Sequence, residues 1–363
     1  MEDLHRGELA LTDARDRKQG EAVNLYWIDD EKKVSIAEAK NLEDKNPLLR
    51  TQVFDPEEFE RKLLNESPSP ADVDLFVVDF RLNRTPINSK RYAWLGISMA
   101  SFIREKYPEH PIYGMSRAIE DDEMTTTLAF AIENIFERVI DFESIRTEGH
   151  ETLYQDALDF RRARKNKKVK LDSLFDLLEA PPSSRKRLHN AVPTRIKEGL
   201  SRRVDKKSLN SLYFCRWVYR TLLSNPGFLY DSLHTATYLG IKPKALTQSR
   251  IAQGLANAKY KGVFCRKNHP LWWVSEIDTF LSKKMKSVDS SGMAAPWRTA
   301  PAVLGIPKNL LSICAVCGEP SPETVGLDTK PPHEQKPVHY HCSESDPNIK
   351  GEPFFDEHRI LKR

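Results

Sequence analysis

The chain has 363 residues, of which 39% are hydrophobic and 30% charged, and its net charge is +4. This composition is typical of a globular protein, and the length is sufficient for two or three domains. No apolar run approaches the roughly 20 residues that a transmembrane helix needs, and the first residues lack the basic and apolar regions of a signal peptide. We therefore expect a cytoplasmic protein with no membrane partner.

Charge is distributed unevenly along the chain. Residues 1–160 hold 20 Lys and Arg against 34 Asp and Glu, a net charge of −14. Residues 161–220 hold 18 against 5, a net charge of +13, and residues 221–363 hold 18 against 13, a net charge of +5. An acidic front followed by a basic middle predicts modules with different partners, although a basic run can also be a solvated linker.

The acidic front, after a flexible polar leader at residues 1–20, alternates short apolar runs with helix-like segments. The predicted strands lie at 24–28, 49–54, 75–79, 111–116 and 139–142, and the predicted helices lie at 35–42, after Asp55, and at 89–107, 119–133 and 152–163. This alternation predicts an α/β fold over residues 21–160, with a doubly wound, five-stranded parallel sheet.

Two of the predicted strands end in acids. Asp29 and Asp30 follow the first strand, and Asp79 ends the third, whose apolar run predicts burial on both faces. The carboxyl ends of parallel strands meet at one sheet edge, where open α/β sheets place their sites. Acids that converge there repel one another unless a divalent cation lies among them. The sequence therefore predicts a magnesium site that can also neutralise a phosphoryl group.

These acids, together with Ser116 after the fourth strand, resemble the response-regulator receiver family over residues 21–160. In that family the lone aspartate accepts a phosphoryl group from a histidine kinase or phosphotransfer protein. The resemblance implies that Asp79 is the phosphoacceptor, that Asp30 is a direct magnesium ligand, and that Asp29 binds the ion directly or through water. It also implies that the carbonyl of Arg81 is a ligand and that Ser116 bonds a phosphoryl oxygen.

One position departs from that family. Receiver domains carry a lysine after the fifth strand, and this chain has Asp141 there. An acid would repel the phosphoryl group that the lysine attracts, unless Arg138 or Arg117 supplies the cation. The alternative is a scaffold that keeps the receiver fold and has Asp79 as an ordinary surface acid.

A basic segment follows the acidic front. Residues 161–170 and 185–187 are rich in Arg and Lys, and two prolines break the chain between them. A helix is predicted over 208–223, with an Asn-Pro-Gly stop directly after Ser224. We interpret residues 161–228 as a basic helical connector.

Residues 229–286 are predicted to form a further folded module. Helices are expected at 233–241 and 245–259, two strands of a hairpin at 262–265 and 271–274, and a last helix at 275–284. Helix, turn, helix, hairpin, helix is the order of a winged helix-turn-helix. The module resembles the winged-helix modules of phage excisionases and mercury-resistance-type regulators in its segments 236–241 and 273–281.

That second resemblance implies a DNA-binding module. The amino end of the second helix would enter the major groove, and the basic hairpin tip would follow phosphates. The candidate base readers are Lys244, Thr247, Gln248 and Arg250, and the candidate phosphate contacts are Lys259, Lys261, Arg266 and Lys267. A winged fold that binds protein and not DNA is the alternative.

The last part of the chain, residues 287–363, contains a linker and two metal-binding hooks. Two residues separate Cys314 from Cys317, and two separate His339 from Cys342. Four soft or borderline ligands suit tetrahedral Zn²⁺, and a site closed by four protein ligands is structural and not catalytic. The histidines that could replace His339 are His341 and His333.

These features predict a two-component response regulator in which phosphorylation of Asp79 controls a DNA-binding output, and a homodimer is a further partner hypothesis. The alternative is a phosphorelay phosphate sink or a protein-interaction partner, in stress or phage defence, whose rear half binds protein. We do not expect an enzyme, because the sequence has no Gly-rich phosphate loop, nucleophile elbow or open metal triad.

Overall fold

The computed structural model forms two compact units, Met1–Lys165 and Asn166–Arg363. Across the described parts of both units, no helix is both long enough and apolar enough to cross a membrane. The domain boundaries that the sequence predicts within the second unit stay predictions. The described residues are 21–65, 69, 72–80, 82, 96–116, 135–165, 171–201, 207–224, 227–285, 296–319, 324–327, 337–339, 342–345 and 359–361.

The first unit alternates strands and helices. The leader at 1–20 and the predicted helix at 119–133 lie outside the described residues. The last helix is longer than predicted, because it begins directly after the fifth strand. The elements are β1 (Val23–Ile28), α1 (Lys32–Lys45), β2 (Leu49–Phe54), α2 (Pro56–Leu64), β3 (Leu75–Asp79), α3 (Gly96–Lys106), β4 (Ile112–Ser116), β5 (Arg138–Asp141) and α4 (Phe142–Lys165).

These five strands form one parallel sheet in the order β2-β1-β3-β4-β5, which confirms the predicted α/β fold. Strand β1 pairs with β2 on one side and with β3 on the other. The chain therefore runs outward from β1 in both directions, and the boundary between β1 and β3 is the topological switch point of the sheet. Open α/β sheets bind their ligands at the carboxyl ends of the strands at this point.

Both faces of the sheet are buried. All five residues of β3 are buried, and Phe76 and Val78 belong to one apolar cluster with Tyr26 of β1. Successive side chains of a strand point to opposite faces, so Trp27 faces the other side, where its ring lies 6.3 Å from that of Phe142 on α4. The apolar run that ends at Asp79 is therefore a strand buried on both faces, as predicted.

Buried ion pairs fix the amino ends of the strands, opposite the acidic edge. Arg104 on α3 donates to both carboxylate oxygens of Glu137 at 2.8 Å, and Glu137 also accepts a hydrogen bond from the backbone of Ile112 at 2.6 Å. Near the end of α4, Arg161 pairs in the same two-pronged way with Asp74, which precedes β3. Several hydrogen bonds to each carboxylate compensate for its removal from water.

The second unit is mainly helical, with short strands. Its described elements are α5 (Leu171–Leu177), α6 (Pro182–Ala191), α7 (Thr194–Ser201), α8 (Lys207–Trp217), a π-helical turn (Val218–Leu222), β6 (Leu229–Tyr230), α9 (Ser232–Tyr238), a 3₁₀ turn (Pro243–Thr247), α10 (Ser249–Leu255), a 3₁₀ turn (Ala256–Ala258), β7 (Trp272–Trp273), α11 (Val274–Met285), α12 (Pro296–Leu304), a 3₁₀ turn (Lys308–Leu310), β8 (Thr324–Leu327), β9 (Pro337–His339), β10 (Ser343–Ser345) and β11 (Arg359–Leu361).

The predicted hairpin is wrong in one strand. Residues 262–265 form turns, and β7 pairs with β6 in antiparallel register, with Leu229 opposite Trp273. The reason lies in the backbone of Val263, whose amide donates to the carbonyl of Leu177 at 2.9 Å. Because this hydrogen-bonding group is satisfied by the end of α5, it is not available to a neighbouring strand.

Helices α9, α10, α11 and α12 share one apolar core. Helix α9 closes on Gly240, whose φ of +67° is the left-handed conformation that glycine adopts without strain. The region that the sequence assigns to the linker and zinc module contributes Ala300, Leu304 and Leu310 to this core. Helix α12 therefore packs with the predicted winged-helix segment.

Candidate functional site

The three predicted carboxylates converge at the switch point. Asp29 follows β1 and Asp79 ends β3, the two strands that meet there. Asp29 and Asp79 are buried, at 0% and 5% exposure, and one ligand oxygen from each of Asp29, Asp30 and Asp79 lies within 4.8 Å of the others. Carboxylates held this close in a buried place attract a cation.

Asp29 is held in place by the start of α1. Its Oδ2 accepts a hydrogen bond from Ser35 Oγ at 2.6 Å, and its Oδ1 accepts one from the Glu31 amide at 2.8 Å. Ser35 is itself fully buried. Sequence reasoning missed Ser35, although a serine in the first turn of the helix that follows two acids was the signal available.

The acidic cluster fits a divalent cation by its donor set. Mg²⁺ takes oxygen ligands at about 2.1 Å in an octahedron, so two ligands of one ion are at most about 4.2 Å apart. The 4.8 Å limit on the oxygens of Asp29, Asp30 and Asp79 is close to that value. Because each carboxylate oxygen has a second lone pair, Asp29 can keep its two hydrogen bonds and still coordinate an ion. The carbonyl of Arg81 lies outside the described residues.

Ser116 lies at the same sheet edge. It ends β4, where its neighbour Met115 is in register with Asp79, and it is 1% exposed. On its other side Ser116 is in register with Asp141 at the end of β5. The structure therefore places Ser116 one residue beyond the level of Asp79. It also places Ser116 next to Asp141, the acid at the position where the receiver family has a lysine.

Asp141 caps helix α4. Its carboxylate accepts hydrogen bonds from the Glu143 amide at 3.0 Å, the Ser144 amide at 2.8 Å and Ser144 Oγ at 2.7 Å. Partial burial alone would raise the pKa of Asp141, but the hydrogen bonds from Ser144 and from the backbone outweigh it, so the pKa lies below its ordinary value. This acid is thus ionised and serves the helix terminus.

Arg138 does not supply the missing cation. It is the first residue of β5, in register with Tyr113, and therefore lies at the end of the strand away from Asp141. Its Nη1 lies 3.6 Å from Oδ2 of the buried Asp156, which also accepts a hydrogen bond from Tyr113 at 2.9 Å. The other candidate, Arg117, lies outside the described residues.

Gly96 brings helix α3 against the end of β3. Its amide donates to the Phe80 carbonyl at 3.1 Å, and a Cβ added to Gly96 would come within 1.9 Å of the Asp79 carbonyl oxygen. Only glycine permits this approach. The first residue of α3 thus lies directly behind Asp79, a support that the sequence analysis did not identify.

The predicted cysteine hooks also converge. The Sγ atoms of Cys314, Cys317 and Cys342 lie within 4.8 Å of one another. Gly318, with φ of +75°, donates from its amide to the Cys314 carbonyl at 3.1 Å, which makes the tight turn after the first hook. Burial and the nearby thiols of Cys314 and Cys317 raise the pKa of Cys342 to about 11. A cation among the three sulfurs would reverse this effect.

The predicted fourth ligand, His339, is described in its backbone alone. The backbone of His339 ends β9, in register with Thr324 of β8, and its side chain lies outside the described residues. The two alternative histidines, His333 and His341, also lie outside them. The three sulfurs fit Zn²⁺, for which Zn–S distances of about 2.3 Å give sulfur separations of roughly 4 Å.

Most of the predicted nucleic-acid residues are exposed. Lys244 and Thr247 lie on a 3₁₀ turn and not on the second helix, so the predicted continuous helix over 245–259 is wrong. Arg266 is half-buried and directly precedes the bend at residues 267–269 of the predicted hairpin tip. The exposed members are Lys244, Thr247, Gln248, Arg250, Lys259, Lys261 and Lys267.

A parallel sheet in the order 2-1-3-4-5 with an acidic cluster at its β1/β3 switch point defines the first unit as a doubly wound domain of the flavodoxin-like class. No known family model matches the chain, and no curated protein matches it. The solved structures that match are response-regulator receiver domains and regulators, over about 40% of the chain.

Three of these matches illustrate the likeness. The response regulator DrrB of Thermotoga maritima is 18% identical with a TM-score of 0.27, over 40% of this chain and 54% of DrrB, so this chain spans about half of that protein. A CheY-like receiver domain from Methanospirillum hungatei is 12% identical with a TM-score of 0.29, over 39% of this chain and 98% of the other. A receiver protein from Sinorhizobium medicae is 18% identical with a TM-score of 0.28, over 40% and 98%.

Proposed function

We propose that the first unit is a receiver that accepts a phosphoryl group on Asp79, with Mg²⁺ held by Asp29 and Asp30. The observation that carries the proposal is the convergence of three carboxylates, two of them buried, at the switch point of the sheet. In this role the protein is a signalling protein and not an enzyme that turns over a separate substrate.

The chemistry follows from the groups at the edge. A carboxylate oxygen of Asp79 forms a bond to phosphorus while the bond from phosphorus to the donor breaks, and the donor, a histidine kinase or phosphotransfer protein, leaves with the electron pair. Ser116 donates its hydroxyl hydrogen to a phosphoryl oxygen. A bound Mg²⁺ supplies positive charge to the phosphoryl oxygens. Because Asp141 occupies the lysine position, less cationic charge faces the product than in the receiver family.

Intact mass tests phosphorylation. The full chain is incubated with acetyl phosphate and Mg²⁺, beside Asp79→Asn and the matched control Asp55→Asn. Asp55 is a useful control because it follows β2 and caps α2, and asparagine also caps helices. Wild type and Asp55→Asn should gain one phosphoryl mass and Asp79→Asn none. An unmodified wild-type chain, or equal gain by Asp79→Asn, contradicts the proposal.

For the second unit we propose a DNA-binding output that the receiver controls. The support is a set of exposed basic and polar residues on the turn and helix of a small helical core, Lys244, Thr247, Gln248 and Arg250. In a response regulator of this kind, the charge added at Asp79 changes the receiver surface and so the affinity of the output for DNA.

The alternative is a phosphate sink or interaction partner whose rear half binds protein. One observation favours it: residues 262–265 are turns, and the antiparallel pairing of the predicted wing is limited to a bridge between Lys259 and Trp272. Capture of random-sequence duplexes by the full chain, followed by sequencing, separates the two functions. Enrichment that is lost in Arg250→Ala supports the DNA output; equal capture of all sequences, or none, supports the alternative.

We further propose that Cys314, Cys317 and Cys342 hold a structural zinc ion with His339 as the fourth ligand. The support is the convergence of the three sulfurs. Metal analysis of the purified chain should give one zinc per chain, lost in Cys314→Ser. Cys265→Ser is the matched control, because Cys265 lies elsewhere and its thiol donates to the Tyr260 carbonyl at 3.3 Å, a bond that serine can keep. Zinc retained in Cys314→Ser as in Cys265→Ser contradicts this site. A wild-type chain without zinc also contradicts it.

A further inference from the structure

Two segments of the second unit lack acidic residues. Residues 232–275 contain seven Lys and Arg and no Asp or Glu, in a chain with 52 acidic residues among 363. Residues 290–318 contain two Lys and Arg, Arg298 and Lys308, and again no acid. Runs without acids let positive side chains act on a partner without internal compensation.

The structure brings parts of these two segments together. Ile241 forms an antiparallel bridge with Leu311, and the Lys242 amide donates to the Leu310 carbonyl at 2.9 Å. The Ser312 amide donates to the Gly240 carbonyl at 3.0 Å. Residues 305–309, which we name the 305–309 turn, therefore lie beside the 3₁₀ turn that carries Lys244.

Side chains add two further contacts between the turn and the predicted base readers. Lys242 Nζ donates to the Asn309 carbonyl at 3.0 Å. A Cβ added to Gly305 would lie 3.3 Å from Nη1 of Arg250, so the guanidinium group lies next to this glycine, whose φ is +64°. Lys308, Asn309 and Lys244 are exposed. One surface thus combines Lys244 and Arg250 with a lysine that is more than 50 residues away in sequence.

We propose that the 305–309 turn is a second arm of the nucleic-acid surface, on which Lys308 binds a phosphate of double-stranded DNA beside the base contacts of Lys244 and Arg250. Lys242 acts as a positioning residue, because its ammonium group holds the Asn309 carbonyl. This inference rests on the proposed DNA-binding output. DNA fits this surface because the two segments that meet here carry Lys244, Arg250 and Lys308 and contain no acid of their own, and uncompensated positive charge is what phosphate contacts require.

Salt dependence distinguishes a phosphate contact from a base contact. Each lysine that neutralises a phosphate of B-DNA contributes about 0.9 to the slope of log affinity against log salt concentration. Lys308→Ala should therefore make that negative slope shallower by about one unit. It should also weaken binding by a similar factor for all DNA sequences. Lys308→Arg keeps the charge and should leave the slope unchanged.

The experiment is fluorescence anisotropy of the full chain with a mixed-sequence 30-base-pair duplex over a range of salt concentrations. The matched control is Lys283→Ala, an exposed lysine on α11, which also carries Glu276 and Asp278. The expected result is a smaller slope for Lys308→Ala only. If the slope of Lys308→Ala equals that of Lys283→Ala while Arg250→Ala weakens DNA binding, the proposed phosphate contact of Lys308 is overturned and the DNA-binding output stands.

Two other outcomes decide against the inference in different ways. A wild-type chain that does not bind the duplex at low salt removes the DNA output together with the second arm. Binding of poly-glutamate at the affinity found for the duplex, with the same dependence on Lys308, assigns the surface to an acidic protein and overturns the nucleic-acid partner.

Discussion

Ser35 donates a hydrogen bond of 2.6 Å to Oδ2 of Asp29, and both side chains are fully buried. The bond orients one carboxylate of the acidic cluster before any ion binds. Groups that orient metal ligands in this way typically contribute 10-fold to 100-fold to metal affinity. We therefore predict that Ser35→Ala weakens Mg²⁺ binding about 10-fold, as measured by isothermal titration calorimetry.

Ser101→Ala is the control for that measurement. Ser101 is an exposed serine of α3 whose hydroxyl donates to the Ile97 carbonyl of its own helix at 2.8 Å. It should bind Mg²⁺ as wild type does. Equal Mg²⁺ affinity in Ser35→Ala and Ser101→Ala would show that Ser35 does not position Asp29.

Asp141 gives a prediction about the start of α4. Loss of a capping side chain costs about 1 kcal/mol, and asparagine replaces aspartate with little loss. Asp141→Ala should therefore speed amide exchange at Glu143 and Ser144 about fivefold, whereas Asp141→Asn should not. Hydrogen exchange read by mass spectrometry tests this. Asp55→Ala, which removes the cap of α2, is the control and should leave α4 unchanged.

Asp231 gives a pH prediction for the second unit. Burial would raise its pKa, but hydrogen bonds from the ring and backbone of His234 and the charge of that ring outweigh burial, so the pKa lies below its ordinary value of 3.8. A lowered folded-state pKa adds stability above the unfolded-state pKa, and this stability is lost as the pH falls through the folded-state value.

Asp231→Asn should therefore flatten the fall in thermal stability between about pH 5 and about pH 3, because the cap remains and the titrating group is gone. Asp172→Asn, at an exposed position of α5, is the control and should keep the wild-type pH dependence. An identical pH dependence in Asp231→Asn and wild type would falsify the assignment.

Gly262 gives a packing prediction. A Cβ added there would lie 2.5 Å from the carbonyl oxygen and 2.6 Å from the Cα of Leu178, and neither backbone atom can move without displacing the end of α5. Gly262→Ala should lower the free energy of unfolding by about 1–3 kcal/mol. Gly227→Ala adds the same methyl group with no atom within 4 Å, so its melting temperature should equal that of wild type. Equal melting temperatures for both variants contradict this close approach.

The sheet and its acidic edge were predictable because they depend on local patterns. A strand buried on both faces reads as a continuous apolar run, and the parallel strand direction that places Asp29 and Asp79 at the same sheet edge follows from the alternation of strands and helices. The capping role of Asp141 was missed because this residue was considered only as the replacement for the lysine of the receiver family. The signal for the cap was Ser144, three residues later, whose hydroxyl donates to the Asp141 carboxylate.

The wrong predictions concern segments whose conformation depends on contacts with residues far away in the sequence. Residues 262–265 have the composition of a strand, but the Val263 amide donates a hydrogen bond to the carbonyl of Leu177, more than 80 residues earlier, and this bond fixes the segment in a turn. Helix α12 was missed because Pro301 lies inside it, and proline disfavours helix interiors. Its apolar face is defined only by the helices that it packs against.

Helix α4 joins the two edges of the first unit. Its 24 residues extend about 36 Å without a break. It begins at the Asp141 cap beside the acidic edge, and near its end Arg161 is tied to Asp74 at the opposite edge. A helix of this length converts a small rotation into a large displacement: a tilt of about 5° at one end moves the other by about 3 Å. A rearrangement around Asp79 that tilted the first turn of α4 would therefore have to break the Arg161–Asp74 ion pair, so this pair opposes movement at Lys165, the last residue of the first unit.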